Sequence, residues 1–207
     1  GQDDALAMMT AFGAKKDLNV LGVTCVAGNV PLDLTSVNAL KICELSGVFS
    51  VPVFRGSPAP LKRKLITAEH VHGKTGLDGT DLSVKKKELE PTDAVDFIIE
   101  CTEKYRDEKI TICALGPLTN IAKVLKQDTV LTESIEEIVL MGGGFFEGGN
   151  ITPAAEFNIY VDPEAAKIVL ESGLKITMLP LDVTHKTLVQ RSFLEKLRKS
   201  GKNSAIQ

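Results

Sequence analysis

Lys109-Ile110-Thr111-Ile112-Cys113-Ala114-Leu115-Gly116-Pro117-Leu118-Thr119-Asn120-Ile121-Ala122-Lys123-Val124-Leu125-Lys126 is the stretch that decides the fold. Lys109 to Ala114 is an apolar, β-branched run of strand length, Gly116-Pro117 interrupts it, and from Pro117 to Lys126 apolar residues return at helical spacing. A strand feeding a helix through a short loop is half of a β-α-β unit, in which the chain crosses over to a parallel strand. The same alternation extends both ways. Downstream, Glu136 to Met141 is a strand running into Gly142-Gly143-Gly144, Asp162-Pro163 starts a helix ending near Gly173, and Leu174 to Leu181 is the last clear strand. Upstream, residues 4–15 are helical in pattern, Asn19 to Val26 and Val51 to Phe54 are strands, and Pro31 to Ser46 and Pro91 to Tyr105 are helices. Near-continuous apolar strands alternating with amphipathic helices predict the doubly wound α/β class: a mostly parallel sheet with helices on both faces, in one domain over residues 1–207. Residues 56–90, rich in Gly, Pro and Lys, break the rhythm and read as a functional or mobile loop.

Composition narrows the functions. The 207 residues are 43% hydrophobic and 25% charged, enough for a sizeable core, and the net charge of −3 gives no pull towards nucleic acid or anionic membrane. No apolar run approaches bilayer length and no basic-then-apolar leader opens the sequence, so neither nucleic acid nor membrane is expected as a partner and the expected location is cytoplasmic. Lys85-Lys86-Lys87 reads as a solvated face. Cys25, Cys43, Cys101 and Cys113 have no C-x-x-C spacing and read as buried free thiols, while His70, His72 and His185 are too scattered for zinc.

Chemistry concentrates in the opening stretch and in the loops after the strands. Gly1-Gln2-Asp3-Asp4 leads into an Ala/Leu/Met-rich helix, placing two carboxylates at its positive end. Adjacent helical residues point about 100° apart, so the two acids suit two partners, a cation for one and a hydroxyl for the other. Taken alone, the pair is better explained as an N-cap and first-turn acid with no chemistry, and a functional reading needs further residues. In open α/β sheets ligands bind beyond the carboxyl ends of the strands. There this sequence offers Asn29; Leu115 to Asn120; Asn150, Glu156 and Asn158; then Asp182 and His185. Carboxylates, amides and loop carbonyls are hard oxygen donors, suited to calcium or magnesium and to a polyol. Each also has a structural reading: Asn29 as a turn residue, the glycines as a tight turn, Asn120 as a surface or cap group, His72 as an exposed loop histidine, Asp182 as the acceptor for a neighbouring loop.

Seven blocks then fall in one order: Gly1-x-Asp3-Asp4-Ala5, Ala27-Gly28-Asn29, His72-Gly73-x-x-Gly76-Leu77, Gly116-Pro117-Leu118-Thr119-Asn120, Met141-Gly142-Gly143-Gly144, Gly149-Asn150, and Ala155-Glu156-Phe157-Asn158-x-x-x-Asp162-Pro163-Glu164-Ala165-Ala166. In this order they resemble the inosine-uridine preferring nucleoside hydrolases, over residues 1 to about 186.

The resemblance implies hydrolysis of the N-glycosidic bond of purine or pyrimidine ribonucleosides to free base and ribose, by water bound to one calcium ion. It implies Asp4 and the Leu115 carbonyl as calcium ligands and Asp3 as the partner of a ribose hydroxyl. Asn29, Asn150, Glu156 and Asn158 match ribose and calcium-shell residues, and Phe157 matches a stacking partner of the forming cation. Asn158 and His72 take catalytic roles, the latter beside the nucleobase. The family's opening motif is D-x-D-P-G-x-D-D and this sequence starts at its glycine, so the resemblance implies an internal fragment lacking the first strand and the C-terminal part, weak in calcium binding and activity by itself. It further implies a homo-oligomer at full length and a structural role for His185. The alternative is an inactive family member that binds nucleoside or ribose.

Overall fold

The computed structural model describes residues 1–79, 82–127 and 130–200. Its first part runs α1 (Gln2–Gly13), β1 (Val23–Thr24), α2 (Leu32–Leu45), β2 (Val53–Phe54), α3 (Glu69–His72) and α4 (Ala94–Lys104). Then come β3 (Ile110–Ala114), α5 (Thr119–Gln127), a 3-10 turn (Val130–Ser134), β4 (Ile135–Met141), α6 (Phe157–Val161), α7 (Pro163–Leu170), β5 (Ile176–Leu179), α8 (Leu181–Thr184) and α9 (Arg191–Ser200). β1 pairs with β2, and β3, β4 and β5 form a sheet in that order; every named strand pair among the described residues is parallel. Helical crossovers between parallel strands give the α/β class that the alternation predicts.

Local chemistry starts the helices where the sequence places them. Asp93 caps α4 by accepting from Val95 N–H at 2.8 Å, and Asp162 caps α7 by accepting from Ala165 N–H at 3.0 Å with Pro163 in the first turn. The larger core packs Ile110, Ala114, Ile138 and Leu140 of the sheet against Ile121, Leu125, Ala165 and Val169. A second core gathers Phe12 of α1, Leu40 and Cys43 of α2, and Val53. Strand alternation turns Thr111, Cys113 and Thr177 outward on the opposite face of the three-stranded sheet, where all three are exposed.

Several sequence expectations change for physical reasons. The strand expected over residues 19–26 pairs only at Val23 and Thr24, because β2 offers two residues before Arg55 leaves to bridge Asp93. The last strand stops at Leu179, since Pro180 has no N–H and the chain turns into α8. Cys25, Cys43 and Cys101 are buried free thiols as expected, but Cys113 is exposed. Burial pushes the Cys25 thiol up to about 12 and Cys43 up to about 11, so neither is a nucleophile at neutral pH. The triple lysine is not a solvated face throughout: the Glu44 carboxylate accepts the backbone N–H groups of Lys85, Lys86 and Lys87, and buried Lys87 donates to the Phe49 carbonyl at 3.0 Å.

The first half of the long segment is tied down. Leu61 N–H donates to Asp162 at 2.9 Å, Ala68 N–H to the Asn29 carbonyl at 2.8 Å, and the Asn38 side chain to the Thr75 carbonyl at 2.7 Å. Leu77 is buried with Ala5 and Ile42. Among the described residues, no helix is long and apolar enough to cross a membrane.

Candidate active site

The site begins at the N-terminal end of α1. Asp3 and Asp4 lie in its first turn, Asp3 exposed and Asp4 partly buried. Asp4 Oδ2 accepts from the Gly1 amino group at 2.7 Å, with Asn29 Nδ2 at 3.5 Å. Burial is the largest influence on Asp4 and raises its pKa. The turn after β1 therefore brings Asn29 to Asp4, and its carbonyl anchors α3, the short helix that carries His72. His72 Nδ1 lies 3.2 Å from Gln2 Oε1. Its pKa is lowered, chiefly by burial. A Cβ on Gly1 would fall 2.8 Å from the imidazole, so glycine at this position lets the ring lie against the helix start.

The second half of the site is built around α6. Glu156 is buried and caps this helix: its carboxylate accepts from Asn158 N–H at 2.9 Å, Ile159 N–H at 3.1 Å and Gly143 N–H at 3.1 Å. The same carboxylate thus fixes the glycine turn after β4 and the start of α6. Asn150 Oδ1 accepts from Phe157 N–H at 2.8 Å. Phe157 is only 8% exposed and packs with Ala68 just before α3, joining the floor of α6 to the His72 helix. Asn158 Nδ2 donates to the Leu115 carbonyl at 3.1 Å and to the Met141 carbonyl at 3.2 Å, bridging the ends of β3 and β4.

The halves adjoin through Gly28, where a Cβ would stand 2.9 Å from the Pro117 ring. The first cluster draws Asp3 and Asp4 from the start of α1, Asn29 from the loop after β1 and His72 from α3; the second draws Leu115 from the loop after β3, and Asn150, Glu156, Phe157 and Asn158 from the segment after β4 and the start of α6, with the β1 and β3 loops in contact. The donors are mostly oxygen. Among the described residues, no three His, Cys, Asp or Glu side chains converge as a metal-binding group, so any cation here would draw on backbone and amide oxygens beside the aspartates.

Sequence reasoning misplaced or missed several supports. Asn120, expected as a surface or cap group, is buried: its Oδ1 accepts from Ser57 N–H at 2.8 Å and its Nδ2 donates to the Cys25 carbonyl at 2.9 Å. Asp162, legible as a helix start, is fully buried and also accepts from Thr119 Oγ1 at 2.7 Å. The Gln2 to His72 contact had no signal, since the residues stand 70 apart in the chain. Asp182 proves to be a loop acceptor, taking the N–H groups of Phe145 at 2.8 Å and Phe146 at 2.9 Å, and these bonds, Phe145 first, hold its pKa low. His185 pairs with Glu147 at 3.3 Å, well within a structural role.

Comparison with known proteins is consistent along the whole chain. The family model for inosine-uridine preferring nucleoside hydrolase matches residues 1–207. An uncharacterised protein of Schizosaccharomyces pombe is 50% identical over 186 residues, covering 90% of this chain and 60% of that protein. The pyrimidine-specific ribonucleoside hydrolase RihB of Escherichia coli is 42% identical over 201 residues, covering 97% of this chain and 63% of RihB. A solved plant nucleoside hydrolase superposes with a TM-score of 0.90 at 36% identity over 97% of this chain and 63% of its own. A purine-preferring ribonucleoside hydrolase from Gardnerella vaginalis gives 0.91 at 34% identity, over 100% of this chain and 67% of its own. The chain thus spans about three fifths of the length of the curated relatives it matches. It belongs to the inosine-uridine preferring nucleoside hydrolase family.

Proposed function

We propose that the protein to which this chain belongs hydrolyses the N-glycosidic bond of ribonucleosides, purine or pyrimidine, to free base and ribose. The observation that carries this reading is the meeting of Asp4 with Asn29 and of Gln2 with His72 on one side, and of Asn158 with the Leu115 carbonyl on the other. Family membership supports the same reaction. The relatives' names divide between pyrimidine-specific and purine-preferring enzymes, so both base classes belong in the substrate range to be tested.

Breaking the C1′–N bond leaves positive charge on the ribose, so the catalyst must bind that oxocarbenium-like state better than the substrate. Asp3 accepts a ribose hydroxyl and contributes negative charge near the sugar. Asn158 is oriented by the two carbonyls that hold its amide nitrogen, leaving its side-chain oxygen for the sugar. Glu156 and Asn150 keep α6 and Phe157 in place beneath it, because their oxygens are engaged by backbone N–H groups. His72 meets the departing base, to which it offers a hydrogen bond or a proton.

The residues present fit calcium by donor chemistry: Asp4 is a partly buried carboxylate whose pKa is raised by burial, a cost that an adjacent cation would offset, and the Leu115 carbonyl adds a hard neutral oxygen. Asp4 and Leu115 would hold the ion, with Asn29 beside Asp4. When bound, calcium supplies an activated water and a grip on vicinal hydroxyls.

The test is incubation of the full-length protein with uridine, inosine and cytidine, scoring base by chromatography and ribose by reducing-sugar assay. Equimolar base and ribose are expected. Tight nucleoside binding without cleavage would favour the binding-protein alternative instead, and release of base only when phosphate is added would assign a phosphorolytic reaction.

A further inference from the structure

We propose that Gln2 is a positioning residue for His72, holding the imidazole in one tautomer and one orientation at the mouth of the site. The two side chains come from different helices of the same half of the site, Gln2 from the first turn of α1 and His72 from the last residue of α3, and meet at 3.2 Å between Oε1 and Nδ1. A carboxamide oxygen only accepts, so in this pair Nδ1 carries the hydrogen and Nε2 is the nitrogen left to face a ligand.

The seat around the ring is built for that contact. The imidazole lies against Gly1, where any Cβ would come within 2.8 Å of it. The helix that carries it is fixed at its start by the Ala68 to Asn29 bond of 2.8 Å. At its end, Asp78 accepts from Lys74 N–H at 3.0 Å and Thr75 N–H at 2.9 Å, so the chain after His72 is held as well. With the backbone fixed on both sides, ring rotation is the remaining freedom, and among the described residues Gln2 supplies the side-chain hydrogen-bonding contact to the ring. A neutral ring held with Nδ1–H presents Nε2 as an acceptor to an N–H of the base; when protonated, it presents Nε2–H as an acid while Gln2 still accepts at Nδ1. One glutamine oxygen thus serves both states, and loss of it lets the ring turn or switch tautomer.

The catalytic consequence rests on the hydrolase reading; the tautomer does not. Nitrogen NMR of the His72 ring in the full-length protein is expected to show a protonated Nδ1 and an unprotonated Nε2 at neutral pH. Gln2→Met, close in size but without the oxygen, should mix the tautomers and lower kcat about tenfold with KM within about twofold, the scale typical of an orienting partner. Gln2→Glu, which keeps an acceptor oxygen, should restore the tautomer. In a His72→Ala background, Gln2→Met should have no further effect. Gln2 is exposed, so these variants should melt as the parent does. An unchanged ring spectrum in Gln2→Met, or a kcat loss that persists without His72, would overturn the proposal. If the parent protein cleaves no nucleoside, the hydrolase reading falls by itself, and the ring spectrum still decides whether Gln2 sets His72.

Discussion

The side-chain amide of Asn158 donates to the backbone carbonyl of Leu115 at 3.1 Å, joining the start of α6 to the loop that leaves β3. The same nitrogen reaches the Met141 carbonyl at 3.2 Å, so one amide ties together the ends of two neighbouring strands and the helix between the glycine turn and α7. Both residues belong to the proposed sugar and cation site. Their contact makes the placement of that site a property of the sheet rather than of one loop.

Asn158→Asp places a carboxylate opposite two carbonyl oxygens and removes the donor. It is expected to lower kcat by on the order of a hundredfold, the scale lost when one preorganised polar contact to a developing charge is removed. Melting should drop as well. Steady-state kinetics with a thermal melt check this, and a variant with parental kcat would show that Asn158 does not orient the sugar.

Asn120→Ala strips the partners from the Ser57 N–H and the Cys25 carbonyl, both bonded to this buried side chain. Buried polar groups left unpaired cost about 1 to 3 kcal/mol, so the unfolding free energy from urea titration should fall by that much, through a lower midpoint at an unchanged slope. A change near zero would mean that water replaces the amide.

Acid should loosen the turn after β4. The Asp182 carboxylate accepts from Phe145 and Phe146 N–H groups, which hold its pKa below the ordinary 3.8. A carboxyl with a depressed folded-state pKa contributes stability that is present above 3.8 and lost as pH falls through its folded value. Hydrogen exchange at Phe145 and Phe146 should therefore quicken, beyond its intrinsic pH dependence, only below about pH 4. Asp182→Asn should show the faster exchange already at neutral pH.

Asp4→Asn removes negative charge from the proposed cation site. Calcium affinity follows ligand charge, so titration calorimetry on the full-length protein should show a weakening of roughly tenfold or more. Asp3→Asn should instead raise KM for nucleoside while leaving calcium binding within about twofold, since Asp3 is assigned to a hydroxyl. Equal effects of both variants on calcium would contradict that division.

What the sequence made legible follows from locality. Strands and helices declare themselves by the period of their own apolar residues, and Ile110 to Ala114, α5 and α7 appear where that period places them. Acids at a helix start and polar residues after strands are equally local, which is why Asp4 on the one hand and Asn29, Asn158 and Asp182 on the other are legible in the sequence. The burial of Asn120 and Lys87 was hidden because it depends on which loops pack over them, Ser57 for one and Phe49 for the other. The role of Glu156 as a cap was half visible, since an acid before a helix is a common start, but its third bond to Gly143 depends on the turn of a separate element. Resemblance supplied roles that pattern alone did not.

The most direct test of the account is a crystal structure of the full-length protein soaked with calcium and ribose. The account predicts the cation on the Asp4 carboxylate and the Leu115 carbonyl, with ribose hydroxyls within hydrogen-bond distance of Asp3 and Asn158. Ribose bound away from these four residues, or a cation held elsewhere with this end of the sheet in its present arrangement, would contradict it.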